Sequence, residues 1–371
     1  MPASSSAPRP VRVLHVIPHL GQGGAEAALA ALLAVQQPGI EASVCTLLAM
    51  EPHFHVRVPV LAGTARCRIP MPGLFRQVRR AVQEVQPDVL HCWMYHANLL
   101  GLAALGSGAR ILWSVHSASP WAINKQMTRW VSTACARLSG LVPDRIVYVA
   151  EAARRAHEAA GYAAARGLVI PNGIDMERFR LPAAPRPQGG RLRLGVVARY
   201  DPVKGHHFLI DVLARHPLRD RIELVLAGQG CDTAPALREH LAQVGLLERT
   251  ELHGAVAAVE TLYASLDILA LPSRSEALPM AVLEAAATGL TVCASRVGDV
   301  PRIGLPEETL FAPCDAADCA RALGAAISRC AQPNERDAQR ALVLDRFDVT
   351  TAAARYAALY RAVTAAPGTS P

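Results

Sequence analysis

The chain has 371 residues, 51% of them hydrophobic and 19% charged, with a formal net charge of +7. That length admits two domains with sizeable cores, and that composition excludes wholesale disorder. The cationic excess is scattered and comes with no recognisable nucleic-acid module, which argues against nucleic acid as the partner.

The first ten residues, MPASSSAPRP, read as a disordered tail. Val11–Ile17 is an apolar, β-rich run. It is followed by a glycine-rich loop at 18–24 and a helix over Ala25–Val35, the opening of a Rossmann-like unit. The loop GQGGAE lacks the third glycine of the dinucleotide fingerprint. Gly23 and Gly24 therefore serve either a plain tight turn or close backbone approach to a substrate. Strand and helix alternate from there. Strands are predicted at Ala42–Leu48, Val89–Cys92, Arg110–Val115, Arg145–Val149 and Leu168–Ile170. Helices are predicted at Leu74–Val85, Tyr95–Leu105, Lys125–Ser139 and Glu151–Ala160. Prolines and glycines cluster in LPAAPRPQGGR, which makes 181–191 the predicted linker.

A second β/α series follows. Its strands are Leu192–Ala198, Ile222–Ala227, a short one at Glu251–His253, Leu266–Leu271 and Leu290–Ala294. Its helices are Gly205–Arg215, Ala236–Val244, Met280–Thr288, Ala316–Arg329 and Asn334–Phe347. A last helix over Thr350–Val363 places Tyr356 and Tyr360 on one face. The expected fold class is α/β, two Rossmann-like β/α/β domains facing across a cleft, the first over 11–180 and the second over 192–347. No run of about eighteen apolar residues and no signal peptide is expected. Nine cysteines occur without a C-x-x-C pair, and Cys45, Cys92 and Cys293 lie in apolar strands. Free thiols in a reducing cytoplasm account for them.

The residues that could carry chemistry gather at strand ends. Between Leu271 and Met280 a polar turn carries Glu276, Pro279 suits the first helical turn, and Glu284 lies in the helix. A helix N-terminus offers free N–H groups and a positive dipole end, which suit a phosphate, and a carboxylate suits a sugar hydroxyl. Solvated surface glutamates are the competing account. Arg199 and Lys204 frame the end of the second domain's first strand, either as ordinary surface cations or as partners of a diphosphate. His116 ends a strand, as a capping histidine or as a group facing ligand. Gly228 follows a strand as a turn or a close-approach residue, and His253 stands at a strand end or beside a base pocket. No Asp-x-Asp, HExxH or P-loop pattern occurs, so no metal ion or cofactor is expected.

All of these residues except His253 lie within seven motifs: GQGGAE at 21–26, PDVLHCWMYHANLLG at 87–101, WSVHS at 113–117, VIPNGIDMERF at 169–179, VARYDPVKGH at 197–206, GQG at 228–230 and SRSEALPMAVLEAAATG at 273–289. Together they resemble the family-4 retaining glycosyltransferases of GT-B architecture, of the bacterial polysaccharide-biosynthesis type, from Val11 to Val363. The resemblance implies a nucleotide-diphosphate sugar, UDP- or GDP-linked, as donor and a glycan or lipid-linked sugar as acceptor. It implies an acceptor-binding first domain and a donor-binding second domain, with residues 348–371 returning to the first. By position, His116 matches the histidine near the transferred sugar, and Arg199 and Lys204 match the diphosphate pair. Glu276 matches the glutamate beside the sugar, and Glu284 the one on the ribose. Gly23 and Gly24 would approach the donor diphosphate or the acceptor, and Leu278, Pro279, Met280 and Ala281 would line the phosphate site. Ala277 and Leu278 stand where Gly-Phe is commoner.

A nucleotide-sugar epimerase or hydrolase, and a non-catalytic subunit of a polysaccharide assembly complex, are the alternatives. The basic helices Leu74–Val85 and Lys125–Ser139 either touch anionic lipid or are solvated faces. The expected location is cytoplasmic, with peripheral contact at the inner membrane face if the acceptor is lipid-linked.

Overall fold

The computed structural model describes residues 9–21, 23–65, 71–120, 126–182 and 190–365. Most of the predicted tail, Gln22, Cys67, Lys125, linker residues 183–189 and residues 366–371 lie outside them. The chain divides into two compact units, Met1–Gly173 with Val349–Pro371, and Ile174–Asp348.

The first unit is a seven-stranded sheet with order β3-β2-β1-β4-β5-β6-β7. In chain order the strands are β1 (Val11–Ile17), β2 (Ile40–Thr46), β3 (Val60–Leu61), β4 (Val89–Trp93), β5 (Arg110–Val115), β6 (Arg145–Tyr148) and β7 (Gly167–Val169). The second unit is a six-stranded sheet with order β10-β9-β8-β11-β12-β13. These are β8 (Leu192–Val197), β9 (Ile222–Ala227), β10 (Thr250–His253), β11 (Ile268–Leu271), β12 (Thr291–Ser295) and β13 (Leu310–Phe311). Every pairing is parallel. Parallel neighbours need crossover connections, and helices on both faces bury the strands, so β4 and β12 are buried along their whole length. In both sheets the strand order reverses beside the first strand, between β1 and β4 and between β8 and β11. Loops leaving the carboxyl ends of such a pair diverge and open a crevice.

The last helix, Val349–Ala365, belongs to the first unit, where Ala353, Tyr356, Tyr360 and Val363 pack on Val13, Val89, Trp93 and Leu112. The tyrosine face expected from the sequence is what the helix buries. This seam is polar as well as aromatic. His91 meets the Tyr360 hydroxyl through Nδ1 at 2.9 Å and the Ser114 hydroxyl through Nε2 at 2.7 Å. The Trp93 indole N–H donates to His15 Nδ1 at 3.1 Å.

The division between units falls seven residues before the predicted end of the first domain, so residues 174–180 join the second. Backbone bonding decides it. The Ile174 N–H donates to the Phe347 carbonyl at 2.8 Å. The Arg340 guanidinium donates to the carbonyls of Phe179 at 2.6 Å and Met176 at 3.1 Å. No helix among the described residues is long and apolar enough to cross a membrane.

Burial pushes His15 down to about 3 from 6.5, and burial with neighbouring His15 and His116 holds His91 well below its ordinary value. Both stay neutral in the fold while the unfolded chain takes up protons near 6.5, so their stability contribution is complete above that pH and is lost as pH falls toward the folded values. Trp93, Trp113 and Trp130 lie within Met1–Gly173 and the sequence has no tryptophan from 174 to 348, so tryptophan fluorescence follows unfolding of the first unit. In denaturant titrations between pH 6 and pH 4, His15→Asn is expected to flatten the pH slope of stability by about 1 kcal/mol per pH unit. An unchanged slope would show that His15 is not held neutral.

Candidate functional site

The second sheet builds its site at the β8–β11 reversal. After β8, Arg199 begins a turn in which Asp201 caps a 3-10 helix over Pro202–Lys204, its carboxylate accepting the Val203 N–H at 3.0 Å. Gly205 closes that turn at φ 72°, and a Cβ there would sit 2.1 Å from the Pro272 carbonyl oxygen. The chain thus comes against the loop leaving β11, and the Arg274 N–H donates to the Val203 carbonyl at 2.8 Å. An L side chain at 205 would meet both backbone strain and collision.

The two loops meet in one ion pair. Lys204 Nζ lies 2.7 Å from Glu276 Oε1, with the side chains 19% and 11% exposed. Glu276 is held from behind by Gly298, at φ 55°, where a Cβ would lie 2.2 Å from the Glu276 carbonyl oxygen. The Asp299 N–H donates to the Ala277 carbonyl at 2.9 Å. The Ser295 hydroxyl donates to the Ser273 carbonyl at 2.6 Å, tying the same loop to the end of β12. Arg199 remains 53% exposed, with Nε 3.4 Å from Asp201 Oδ2.

Helix Met280–Ala287 starts directly after this loop. Pro279 is its N-cap and has no N–H, and its carbonyl accepts from Val282 at 3.2 Å. Leu278 is buried. Met280 and Ala281 occupy the first turn, where N–H groups have no intrahelical acceptor and the dipole end is positive. One turn on, the Tyr263 hydroxyl donates to Glu284 Oε2 at 2.9 Å. Burial raises Glu284 to about 7, against the opposing effects of the Tyr263 bond and Arg178, and Glu260 adds to the rise. Arg178 is itself paired with Glu260 at 2.7 Å. Tyr263 is a functional candidate that its sequence context does not reveal. It stands in the short helix Val259–Ala264, and only the tertiary approach of that helix to helix Met280–Ala287 gives its hydroxyl a carboxylate.

Gly228 donates its N–H to the carbonyls of His253 and Gly254, each at 3.1 Å, at the carboxyl ends of β9 and β10. The His253 side chain is engaged within the fold, with Nε2 3.0 Å from Glu251 Oε2. Glu251 also takes both Arg193 amino groups, at 2.6 and 2.8 Å, and that arginine holds its carboxyl down to about 2. His253 is therefore anchored to a surface ion cluster.

The remaining candidates belong to the first unit. Gly23 is the N-cap of helix Gly24–Ala34, and the place of its Cβ lies 2.2 Å from Glu26 Oε2. The carboxylate that folds over the helix start stands 3.5 Å from His19. His116 follows β5, stacked on Trp93 with ring centroids 5.0 Å apart. Burial lowers it to about 3, and neither ring nitrogen has a hydrogen-bond partner among the described residues. A buried polar group without a partner costs about 1–3 kcal/mol, so this ring is kept at the expense of stability.

Glu284 supplies a test by titration. Its folded value lies above that of the unfolded chain, 4.5, so the unfolded state loses its proton first and stability falls as pH rises from about 4.5 to about 7. Glu284→Gln removes that loss. In pairwise melts, the stability of this variant relative to the parent should grow from pH 5 to pH 8 by at most about 3 kcal/mol. Tyr263→Phe should move the carboxyl titration further upward, read by carbon NMR of labelled glutamate. A downward movement would sink the assigned donor role.

Residues 12–178 match the model described as Glycosyltransferase Family 4, and residues 191–329 match that described as Glycosyl transferases group 1. Among curated proteins, the Geodermatophilus obscurus D-inositol 3-phosphate glycosyltransferase is 32% identical over 50% of this chain and 46% of its own length. The Mycobacterium tuberculosis GDP-mannose-dependent alpha-(1-6)-phosphatidylinositol monomannoside mannosyltransferase is 29% identical over 63% of this chain and 64% of its own. The chain thus spans less than two thirds of the length of these relatives. Among solved structures, Anabaena Alr3699/HepE in complex with UDP and glucose superposes with a TM-score of 0.81 at 21% identity, over 95% of this chain and 100% of the other. That likeness shows the fold, which is GT-B. With one model matching each of its two sheet-centred units, the chain carries both domains of a family-4 glycosyltransferase.

Proposed function

We propose that the chain is a retaining glycosyltransferase that moves a sugar from a UDP- or GDP-sugar to a glycan or lipid-linked acceptor, in cell-surface polysaccharide synthesis. The observation that carries this reading is the Lys204–Glu276 pair, a cation and a carboxylate 2.7 Å apart at the strand reversal of the second sheet. A diphosphate joined to a sugar needs both, the cation at the phosphate and the carboxylate at the sugar. The mannosyltransferase relative is named for a GDP-sugar and the structural relative for UDP and glucose, which supports the donor class.

The residues then take the following roles. Lys204 turns from Glu276 to the diphosphate, joined by the exposed Arg199 and by the first-turn N–H groups of Met280 and Ala281. The released carboxylate of Glu276 holds a sugar hydroxyl or faces the developing positive charge at the anomeric carbon. The bond from that carbon to the phosphate oxygen breaks with its electron pair going to the phosphate. The acceptor oxygen bonds to the carbon on the same face, and its proton passes to the departing phosphate oxygen. Glu284, aimed by Tyr263, takes the ribose hydroxyls. Gly228 and His253 stand on the base side of the donor. In the first unit, His116, with two free ring nitrogens, bonds the transferred sugar, and Gly23 and Gly24 lie along the donor or acceptor path. Cationic side chains, rather than a metal ion, neutralise the leaving group. The enzyme works in the cytoplasm, in reach of the membrane where a lipid-linked acceptor is held.

Purified protein offered a panel of UDP- and GDP-sugars with lipid-linked and soluble glycan acceptors should release nucleotide only when an acceptor is present. Acceptor-independent release would point to a hydrolase. Glu276→Ala is expected to abolish transfer while nucleoside diphosphate binding, followed by calorimetry, stays within a few-fold. Lys204→Met should lower the rate by about 10²–10³. Full turnover by Glu276→Ala would remove the assignment.

A further inference from the structure

Two helices of the first unit, Met71–Val85 and Gln126–Leu138, lie over the same face of its sheet. Leu74, Val78 and Val82 from one and Val131 and Cys135 from the other enter one core cluster with Tyr95 and Leu100. Their outward faces are unusual for solvated helices. Gln126–Leu138 exposes Trp130 at 67% and Met127 at 55%, and Leu141 just beyond its end is 77% exposed. Residues 127, 130, 137 and 141 follow helical spacing along one side, and Arg137 is exposed among them, with Arg129 beside Trp130. The helix contains no acidic residue. Met71–Val85 exposes Arg76, Arg79 and Arg80 against one exposed acid, Glu84.

We infer that this helix layer docks on an anionic membrane surface, with the Trp130 indole seated among the headgroups and the arginines on lipid phosphates. The chemistry selects this occupant. A helix face that combines one sign of charge with an exposed tryptophan and methionine matches an interface that is anionic in one layer and apolar just beneath. A second copy of the chain fits poorly, because a twofold contact would set this basic face against the same basic face of its partner. A solvated helix would carry acids among its bases and would gain nothing from an indole in water. Nothing in this inference depends on the proposed glycosyl transfer.

The full chain is tested by co-sedimentation with vesicles of equal parts phosphatidylcholine and phosphatidylglycerol, and with phosphatidylcholine alone. Binding is expected to the first, weakening with salt. Each arginine removed, as in Arg79→Gln or Arg137→Gln, should weaken it by about fivefold. Lipids brominated near the headgroup should quench tryptophan emission in the parent, and Trp130→Phe should remove that quench while leaving most of the binding. Trp130→Ser should reduce binding at least several-fold with an unchanged melting temperature, since the side chain is exposed. The proposal is overturned by equal binding to both vesicle types, by quenching that survives in Trp130→Phe, or by a dimer in sedimentation velocity that Trp130→Ser dissolves.

Discussion

A lysine and a glutamate 72 positions apart in sequence share a hydrogen bond at the open end of the second sheet, and much of that sheet's architecture serves to bring them there. Removing two charges from water costs several kcal/mol per ion, so a largely buried pair persists only where the surrounding backbone fixes it. Here the fixing is done by close chain approach. Gly205 lets the loop after β8 lie against Pro272, and Gly298 lets the loop after β12 support Glu276 from below. Three strand-end loops are thereby bound together by main-chain contacts, and the side chains they carry inherit one geometry. An anion arriving beside Lys204 meets a cation already oriented and replaces a partner of like sign.

The same logic explains how much of the molecule is legible in its residues. The β/α alternation is plain, because strands covered on both faces read as short apolar runs and the helices between them read at helical spacing. Two edge strands, β3 and β13, leave no trace in the pattern because each is two residues long and carries no period. Composition places the domain boundary where prolines and glycines cluster. The chain instead changes unit at Gly173, where ordered residues bond to the end of the same unit through Phe347 and Arg340. Composition signals looseness, whereas membership of a unit is decided by partners distant in sequence. The site divides in the same way. Glu276 and Lys204 stand out by residue type at strand ends, and Glu284 in the helix that follows, but the ion pair, the Tyr263 hydroxyl and the support from Gly298 are tertiary facts. His253 stands out as well, and the structure commits its side chain to Glu251.

The first unit uses its polar chemistry differently. Along the face of its sheet covered by helix Val349–Ala365 runs a ladder of rings. The Tyr360 hydroxyl meets His91, the His91 ring lies 4.8 Å from that of Trp93, and Trp93 stacks at 5.0 Å on His116. His91 and Trp93 are two residues apart on β4, and Ser114 and His116 occupy the same phase along and just past β5, so each pair points to one face. Lower members of the ladder have their hydrogen bonds completed inside the protein. The topmost, His116, has none among the described residues, although its nitrogens are shielded from water.

That contrast gives the returning C-terminal helix a purpose beyond covering apolar surface. An imidazole without partners is free to turn about its side-chain bonds, and rotation would spoil any directed bond to a ligand. Stacking removes that freedom without consuming a donor or an acceptor. Trp93 can do this only if it is itself immobile, which its indole bond to His15 and the packing of Tyr356, at a ring distance of 6.3 Å, secure. The helix from Val349 to Ala365 is therefore part of what fixes His116, at one remove. The fold holds the histidine neutral, unbonded and still, the state that the sugar-binding role proposed for it would require.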